Sequence, residues 1–565
     1  MPGMIVAPQP TAVEEGAKVL AAGGNAIDAA VTCAFVQFVV DPHSCGVGGY
    51  AILNAHLAGQ SVPNLILDGP ALAGSKVTPS MWEDAVIRPN PDGWGFFLRG
   101  QVNDSGYQSI CTPGVVKALA AMLERWGTLS WRQAIEPAAR IAEEGFVVSS
   151  HLAAGWKAKA GHPEACSLLD YLQGNPEARR IYLKQDGTPY DAGEILRNPD
   201  YARTLRQLAE RGADDFYHGD LARRMAADLA ANGSFVTAED FGAYALRDER
   251  PVTGTYRGFT VSTSQPPHGG PTLLAALNIL EGCDLAALGH NSPEYIHRVS
   301  MAMKAAFADR NRHMGDPAFV PVPLDWMISK ERAAEWRRVI DSGQPITVAY
   351  TPPEPPDTTH VSVADAMGNA VSLSHSLGSS SGVITPGLGF IYNNSMINFY
   401  PYAGHPNSIA PRKGRTGGMA PTIVYQRETG EGETGGRGDR AMPAVGSSRP
   451  PVSPSPNRPL LVLGSPGATR IITANLQVIL NVLDFGMSIS DAVLAPRFDC
   501  QGDVIRCQAR IPEYVCAEVR RRHPIERLPQ SHGGLALVHA ITIDPGTGKL
   551  AGAADTGSGG MALEV

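Results

Sequence analysis

The segment that most constrains this chain runs from Thr358 to Ser376. It reads Thr358-Thr359-His360-Val361-Ser362-Val363, then Asp365-Ala366-Met367-Gly368-Asn369, then Ala370-Val371-Ser372-Leu373-Ser374-His375-Ser376. Two alternating, β-branched runs flank a turn that starts on Asp and carries Gly where left-handed backbone is needed, which predicts a hairpin. A hairpin centred near Met367 sets Thr358 opposite Ser376, to within one residue of bulge. Cross-strand Cβ atoms lie roughly 5 Å apart, so the two hydroxyls should come within hydrogen-bonding range. Alternation turns His360 away from Thr359, and His375 away from Ser376, so both histidines are expected to pack.

A threonine hydroxyl is a weak nucleophile until a base takes its proton. The α-amine of the same residue can do so, with an ordinary pKa of about 7.7–8.0, but it exists only if the chain is cut just before it. The preceding stretch Thr351–Asp357, TPPEPPD, is expected to be extended and exposed, as a cleavage site at Asp357–Thr358 requires. The plainer reading is a Thr-rich edge strand with no chemistry.

At 565 residues the chain exceeds one ordinary domain, so two lobes or one large α/β core are expected. A net charge of −8 with no basic block makes nucleic acid and anionic membrane poor partners. The N-terminus lacks a basic segment, and the apolar run Ala29–Val40 is short and interrupted by Thr32 and Gln37. No signal peptide or membrane span is read, and a cytoplasmic location is expected. Eight cysteines show no CxxC pair and are read as buried thiols, with no metal and no cofactor. A helix capped by Thr11 and Glu14 should end at Gly23-Gly24, and Asn25 should cap the next. Thr112-Pro113 should open a helix ending at Gly127, and Ser130 with Gln133 should cap another. Strands are expected around 45–70 and 252–265. Beyond 358 the chain reads as strands and hairpins, helical mainly around 470–485. The glycine-rich His43–Gly49 is read as a tight turn rather than a phosphate cradle. Asp309-Arg310 is read as an ion pair. Arg427–Arg458, rich in Gly, Pro, Ser and Arg, is read as a flexible loop between two strands.

The Thr358 segment resembles the start of the small subunit in the gamma-glutamyltranspeptidase family, and the likeness covers nearly the whole chain. Gly23-Gly24-Asn25-Ala26-Ile27-Asp28-Ala29-Ala30, Thr112-Pro113-Gly114, Pro137 with Glu144-Gly145-Phe146, and Pro266-Pro267-His268-Gly269-Gly270 match its elements. So do Phe307-Ala308-Asp309-Arg310, Gly315-Asp316-Pro317, Tyr392-Asn393-Asn394, Met419-Ala420-Pro421-Thr422-Ile423 and Gly464-Ser465-Pro466-Gly467. The resemblance implies a four-layer αββα sandwich of the N-terminal-nucleophile type. It would be made as one precursor that cuts itself into residues 1–357, mostly helical with strands, and residues 358–565. Thr358 would be the nucleophile, with Thr359 and Ser376 orienting it. Gly467 and Ala468 would supply oxyanion-hole N–H groups, the Ala replacing the family's second Gly. The two subunits would pack as a heterodimer, possibly dimerised further.

The departures concern substrate. The family's Arg for the substrate α-carboxylate is Ile66 here. Its Gln and Asp for the α-amine are Ser395 and Asn398, and its Ser pair is Gly417-Gly418. An Asn beyond the second Thr is Gly378, and the closing Asp-Pro-Arg is Asp555-Thr556-Gly557. Arg415 or Arg99 could replace the missing Arg. The expectation is therefore an amide hydrolase or acyltransferase acting on a gamma-glutamyl compound or, preferred here, on another acyl amide, of the cephalosporin acylase or oxamate amidohydrolase kind. The alternative of another class is an unprocessed, inactive relative. Retention of Thr358, Thr359, Ser376 and the Gly467 turn argues against that, and a denaturing gel separates the two.

Overall fold

The computed structural model describes residues 2–60, 64–90, 95–349, 358–427 and 457–565. The Pro-rich lead to Thr358 and most of the expected 427–458 loop lie outside the described residues.

Thirteen strands build two central sheets. They are β1 (Met4–Ala7), β2 (Tyr50–His56), β3 (Asn64–Gly69), β4 (Arg247–Glu249), β5 (Val252–Tyr256), β6 (Phe259–Thr263), β7 (Thr359–Ala364), β8 (Ala370–Ser376), β9 (Thr422–Arg427), β10 (Asn457–Gly464), β11 (His539–Ile543), β12 (Leu550–Ala554) and β13 (Met561–Glu564). The first sheet runs β13-β1-β7-β8-β2-β3-β4 and the second β12-β11-β10-β9-β6-β5. Neighbouring strands in both are antiparallel. Each sheet takes strands from both sides of position 358, so the parts before and after it are interwoven rather than two lobes.

Val361, Val363, Val371 and Leu373 point outward from the first sheet into a core formed with the helices of the first half, including Ala26–Val40 and Trp131–Glu144. Val261, Val424, Leu461 and Leu463 do the same from the second sheet, against helices Gly270–Leu280, Pro293–His313 and Arg470–Leu483. Val6, Ala364, Ile423, Tyr425, Val462 and Ile541 pack between the sheets. The result is the αββα sandwich.

This arrangement corrects the edge-strand reading. An alternation of Val or Leu with Ser or His reads as a half-exposed strand, yet every residue of β7 and β8 is buried. The polar rows face the other sheet and are satisfied there. Ser372 Oγ donates to Leu463 O at 2.8 Å and Ser362 Oγ to His539 O at 3.1 Å. Asn54 Nδ2 donates to Ser262 O at 2.9 Å and Pro421 O at 3.1 Å. Buried polar groups paired in this way cost little and lock the two sheets in one relation.

The hairpin turn forms as predicted, with Gly368 at φ 87°. Asp365 does more than start it. Its carboxylate accepts the N–H groups of Met367 and Asn369, the Asn369 amide, and the N–H of Ala26 at 2.8 Å. It thereby ties the turn to the first turn of the Ala26–Val40 helix. Asn25 caps that helix with Asp28, as expected. Ser130 and Gln133 cap theirs, and the strands near 45–70 and 252–265 are present.

Other local expectations need correction. The first helix is Pro10–Ala21, starting on Pro10 with Gln9 before it, and Thr11 makes no cap; the fixed φ of proline suits the first helical position. The Gly127-terminated helix begins at Val115, after Gly114. Residues 377–421 are largely irregular, and helices Ile489–Leu494 and Glu513–Arg520 follow the expected one at 470–483. Asp309 and Arg310 do not pair with each other, since adjacent helix positions face different ways. Asp309 binds Arg332 at 2.7 Å and Arg310 donates to Gly417 O at 2.9 Å. All eight cysteines are free thiols; Cys166 and Cys283 are half-buried rather than buried. No helix among the described residues is long and apolar enough to cross a membrane.

Replacing Asp365 by Ala should leave the Ala26 and Asn369 N–H groups without their acceptor and cost about 2–4 kcal/mol. Urea unfolding checks this, as a lowered midpoint; a midpoint equal to wild type would show that the turn does not anchor the helix.

Candidate active site

The observed register pairs Thr359 with His375, which continues to Thr358 opposite Ser376. Thr358 Oγ1 lies 3.0 Å from Ser376 Oγ. Ser376 Oγ also accepts the Gly378 N–H at 2.9 Å, which fixes its rotamer. Both residues are buried. Gly49, in the tight turn before β2, presses on the same place: a Cβ there would stand 2.3 Å from Ser376 O. The glycines of this turn thus allow close backbone approach beside the reacting hydroxyl.

Thr359 points to the opposite face. Its hydroxyl donates to Gln9 Oε1 at 3.3 Å and accepts from Gln37 Nε2 at 3.0 Å. Gln37 Oε1 meets His375 Nε2 at 2.9 Å. Thr359 therefore reaches no atom of Thr358 through its side chain; it anchors the backbone that carries it. Gln9 and Gln37 were not singled out by sequence as site residues. The signal was there, because Gln37 interrupts an otherwise apolar helix that is almost wholly buried.

The histidines near the nucleophile are packing groups. His360 bridges Ser374 Oγ at 2.8 Å and Ser362 Oγ at 3.0 Å, and fits against Gly464, where a Cβ would clash at 2.3 Å. Burial holds its pKa well below the ordinary value and pushes that of His375 down to about 3. Imidazoles so depressed are poor proton acceptors, so neither competes with an α-amine as the base.

Gly467 and Ala468 form the turn before the Arg470–Leu483 helix. Gly467 has φ 134° and Ala468 φ 59°. An alanine there tolerates the left-handed backbone at a cost of about 1–2 kcal/mol, and such strain is kept where it serves a site. Among the described residues neither N–H donates a hydrogen bond. Gly418 packs on this turn, where a Cβ would lie 2.2 Å from Ala468 O, so no side chain fits. Gly417 is held by its own N–H to Pro267 O at 2.9 Å and by Arg310 on its carbonyl. Arg310, which sequence had assigned to an ion pair, instead holds the Gly417 backbone.

Ile66 is sealed in an apolar cluster with Tyr50, Ile52, Met396, Phe399 and Met419. A nearby cation is Arg415, buried with its guanidinium 4.4 Å from the centre of the Tyr50 ring. Tyr50 is the strand partner of Ser376. Arg99 is exposed and bonds to Asp84 O instead. The Ser395 hydroxyl and both polar atoms of the Asn398 amide are buried with no partner among the described residues. Asp555 is buried in an ion pair with Arg497. Gly378, at φ 76°, has its Cβ position filled by Asn394 Oδ1 at 2.4 Å. Thr358 and Gly467 line a common cavity of about 650 Å³.

A threonine at the head of a central strand, on the face between two sheets of an αββα sandwich, places this protein among the N-terminal-nucleophile hydrolases. The chain belongs to the gamma-glutamyltranspeptidase family, which it matches over residues 12–446 and 450–565. It is 36% identical over 561 residues to the Acylase ACY 1 proenzyme of Pseudomonas sp. strain SE83, covering 98% of this chain and 91% of that one. It is 33% identical to the glutathione hydrolase proenzyme of Pseudomonas sp. strain A14, over 88% of this chain and 81% of the relative. The crystal structure of cephalosporin acylase from Bacillus halodurans superposes with a TM-score of 0.81 at 26% identity, covering 100% of this chain and 95% of that one.

Replacing Ser376 by Ala removes one hydrogen bond to Thr358 Oγ1. Turnover of the processed protein should fall about 5- to 150-fold, corresponding to roughly 1–3 kcal/mol, while circular dichroism stays native. An unchanged kcat would show that the contact plays no part in the reaction.

Proposed function

We propose that the protein cuts itself between Asp357 and Thr358 and then works as an amide hydrolase or acyltransferase. The two products would be residues 1–357 and 358–565, held together by the shared sheets as a heterodimer. The observation that carries this reading is the 3.0 Å contact between Thr358 and Ser376 hydroxyls, beside the Gly467-Ala468 turn. Thr358 Oγ attacks the amide carbon, and its proton passes to the new α-amine. The oxyanion is met by the N–H groups of Gly467 and Ala468. The C–N bond breaks, the amine leaves with the proton from the α-ammonium, and the acyl group stays on Oγ as an ester. Water or a second amine then takes it by the reverse proton path.

The acyl group we infer carries a carboxylate and no ammonium, as a glutaryl group does. A gamma-glutamyl end brings both charges into a buried site, where an unpaired charge costs several kcal/mol. Ile66 offers no cation, Asn398 no anion, and Gly417-Gly418 no hydroxyl. Arg415 supplies one buried cation, and Ser395 and Asn398 supply neutral hydrogen-bonding groups.

The test compares kcat/KM of the processed protein on glutathione, a gamma-glutamyl anilide and a glutaryl anilide. The ammonium's missing charge-assisted contact, at about 1.5–3 kcal/mol, should put the glutaryl substrate ahead by roughly one to two powers of ten. A wide margin for the gamma-glutamyl compounds would overturn the acyl assignment.

A further inference from the structure

A small three-stranded sheet, Phe498–Asp499, Ile505–Cys507 and Ile525–Arg527, stands apart from the two central sheets and is joined by the helix Glu513–Arg520. Cys507 ends the middle strand and Cys516 lies in the helix. Their sulfurs are 3.6 Å apart, and both side chains are wholly buried in an apolar cluster with Ile505, Ile511, Val515 and Val519. We propose that Cys507 and Cys516 form a disulfide site, closed by exchange with a low-molecular-weight disulfide, and that the bond steadies one wall of the cavity that Thr358 lines. The proposal does not depend on what Thr358 does.

Geometry and burial support it. The two sulfurs are already in van der Waals contact, and bonding at about 2.0 Å asks each to move by less than about 1 Å. Burial favours the internal bond over a lasting adduct. A small thiol left on either sulfur would need room in a filled core, and the neighbouring thiol stands ready to displace it. The helix is short, and Glu513, Tyr514, Ala517 and Glu518 are exposed on it, so local opening gives a reagent its way in. Burial also pushes the Cys507 thiol up to about 12. Few thiolates therefore exist at neutral pH, and the exchange is slow, on the order of hours.

In the first step one cysteine thiolate attacks a sulfur of the small disulfide. The small S–S bond breaks, and the released thiolate takes up the proton that the cysteine gave up. The second cysteine, losing its proton, attacks the protein sulfur of the mixed disulfide and expels the second small thiol. Two protein thiols are oxidised, and one small disulfide is reduced to two thiols. The bond pins the strand end on which the cavity wall hangs. Cys507 O accepts the Leu528 N–H at 2.7 Å, Ala509 N–H donates to Gln530 O at 3.0 Å, and Gln508 Nε2 donates to Gly533 O at 3.1 Å. Gln530, His532 and Gly533 line the cavity together with Thr358.

The experiment treats the native protein overnight with 2-hydroxyethyl disulfide at about pH 8.5 in dilute urea. This reagent has no amide bond, so an amide hydrolase does not consume it. Remaining thiols are blocked in acid. Trypsin, cutting after Arg506, Arg510 and Arg520, then puts Cys507 and Cys516 on separate peptides, residues 507–510 and 511–520. The expected product is these two peptides joined by a bond that a reductant opens. Backbone hydrogen exchange over residues 528–534 should be slower in the oxidised protein than in the reduced one, by roughly 3- to 30-fold. Both changes should be missing in Cys516→Ser and in Cys516→Ala. Peptides recovered separately from wild type, with thiols free or carrying only hydroxyethyl adducts, would overturn the site. A joined pair with unchanged exchange over 528–534 would overturn the role of the bond at the cavity wall.

Discussion

The antiparallel register of β7 against β8 is the constraint on which the rest depends. It sets Thr358 against Ser376, and it assigns the two faces of the hairpin different tasks. One face carries valines and a leucine into the helical layer. The other carries serines and a histidine into the space between the sheets, with Thr358 at its end. A slip of one residue would exchange the two faces, burying valine where serine bonds the second sheet and turning the nucleophile into the helices. The register is held from several sides at once. Asp365 fastens the turn to a helix, Ser372 and Ser362 fasten the strands to the second sheet, and Gln37 fastens Thr359 and His375 to the buried helix.

Interweaving explains how such a chain could be cut and stay whole. β1 from the first part lies between β7 and β13 of the second, and β9 of the second part lies beside β6 of the first. Separating the parts would break strand pairings in both sheets and expose cores on both faces. Cleavage between Asp357 and Thr358 would therefore release an amine without releasing a subunit.

Much of this was legible in the sequence, for stated physical reasons. Turn chemistry at Asp365 and Gly368 fixed the hairpin, and period-two counting fixed Thr358 opposite Ser376. What sequence missed lies in long-range contacts. Gln9 and Gln37 are far from Thr359 along the chain, and only the polar break that Gln37 makes in an apolar helix hints that they meet it. Arg310 looked like the partner of Asp309, yet it reaches Gly417 across the fold. The edge-strand reading failed because a buried serine row looks like a solvated one until its cross-sheet acceptors are known. The first helix start was misplaced because Thr11 fits a cap by type, while Pro10 decides the position.

The central claim is that Thr358 is unmasked by cleavage and then carries the acyl group. The most direct measurement is intact-mass analysis of purified wild type and Thr358→Ala, with Edman sequencing of any smaller chain. The account predicts that wild type yields two chains, the smaller beginning Thr-Thr-His-Val, and that Thr358→Ala remains one chain of 565 residues. A wild-type protein that hydrolyses amides while still uncut would contradict it.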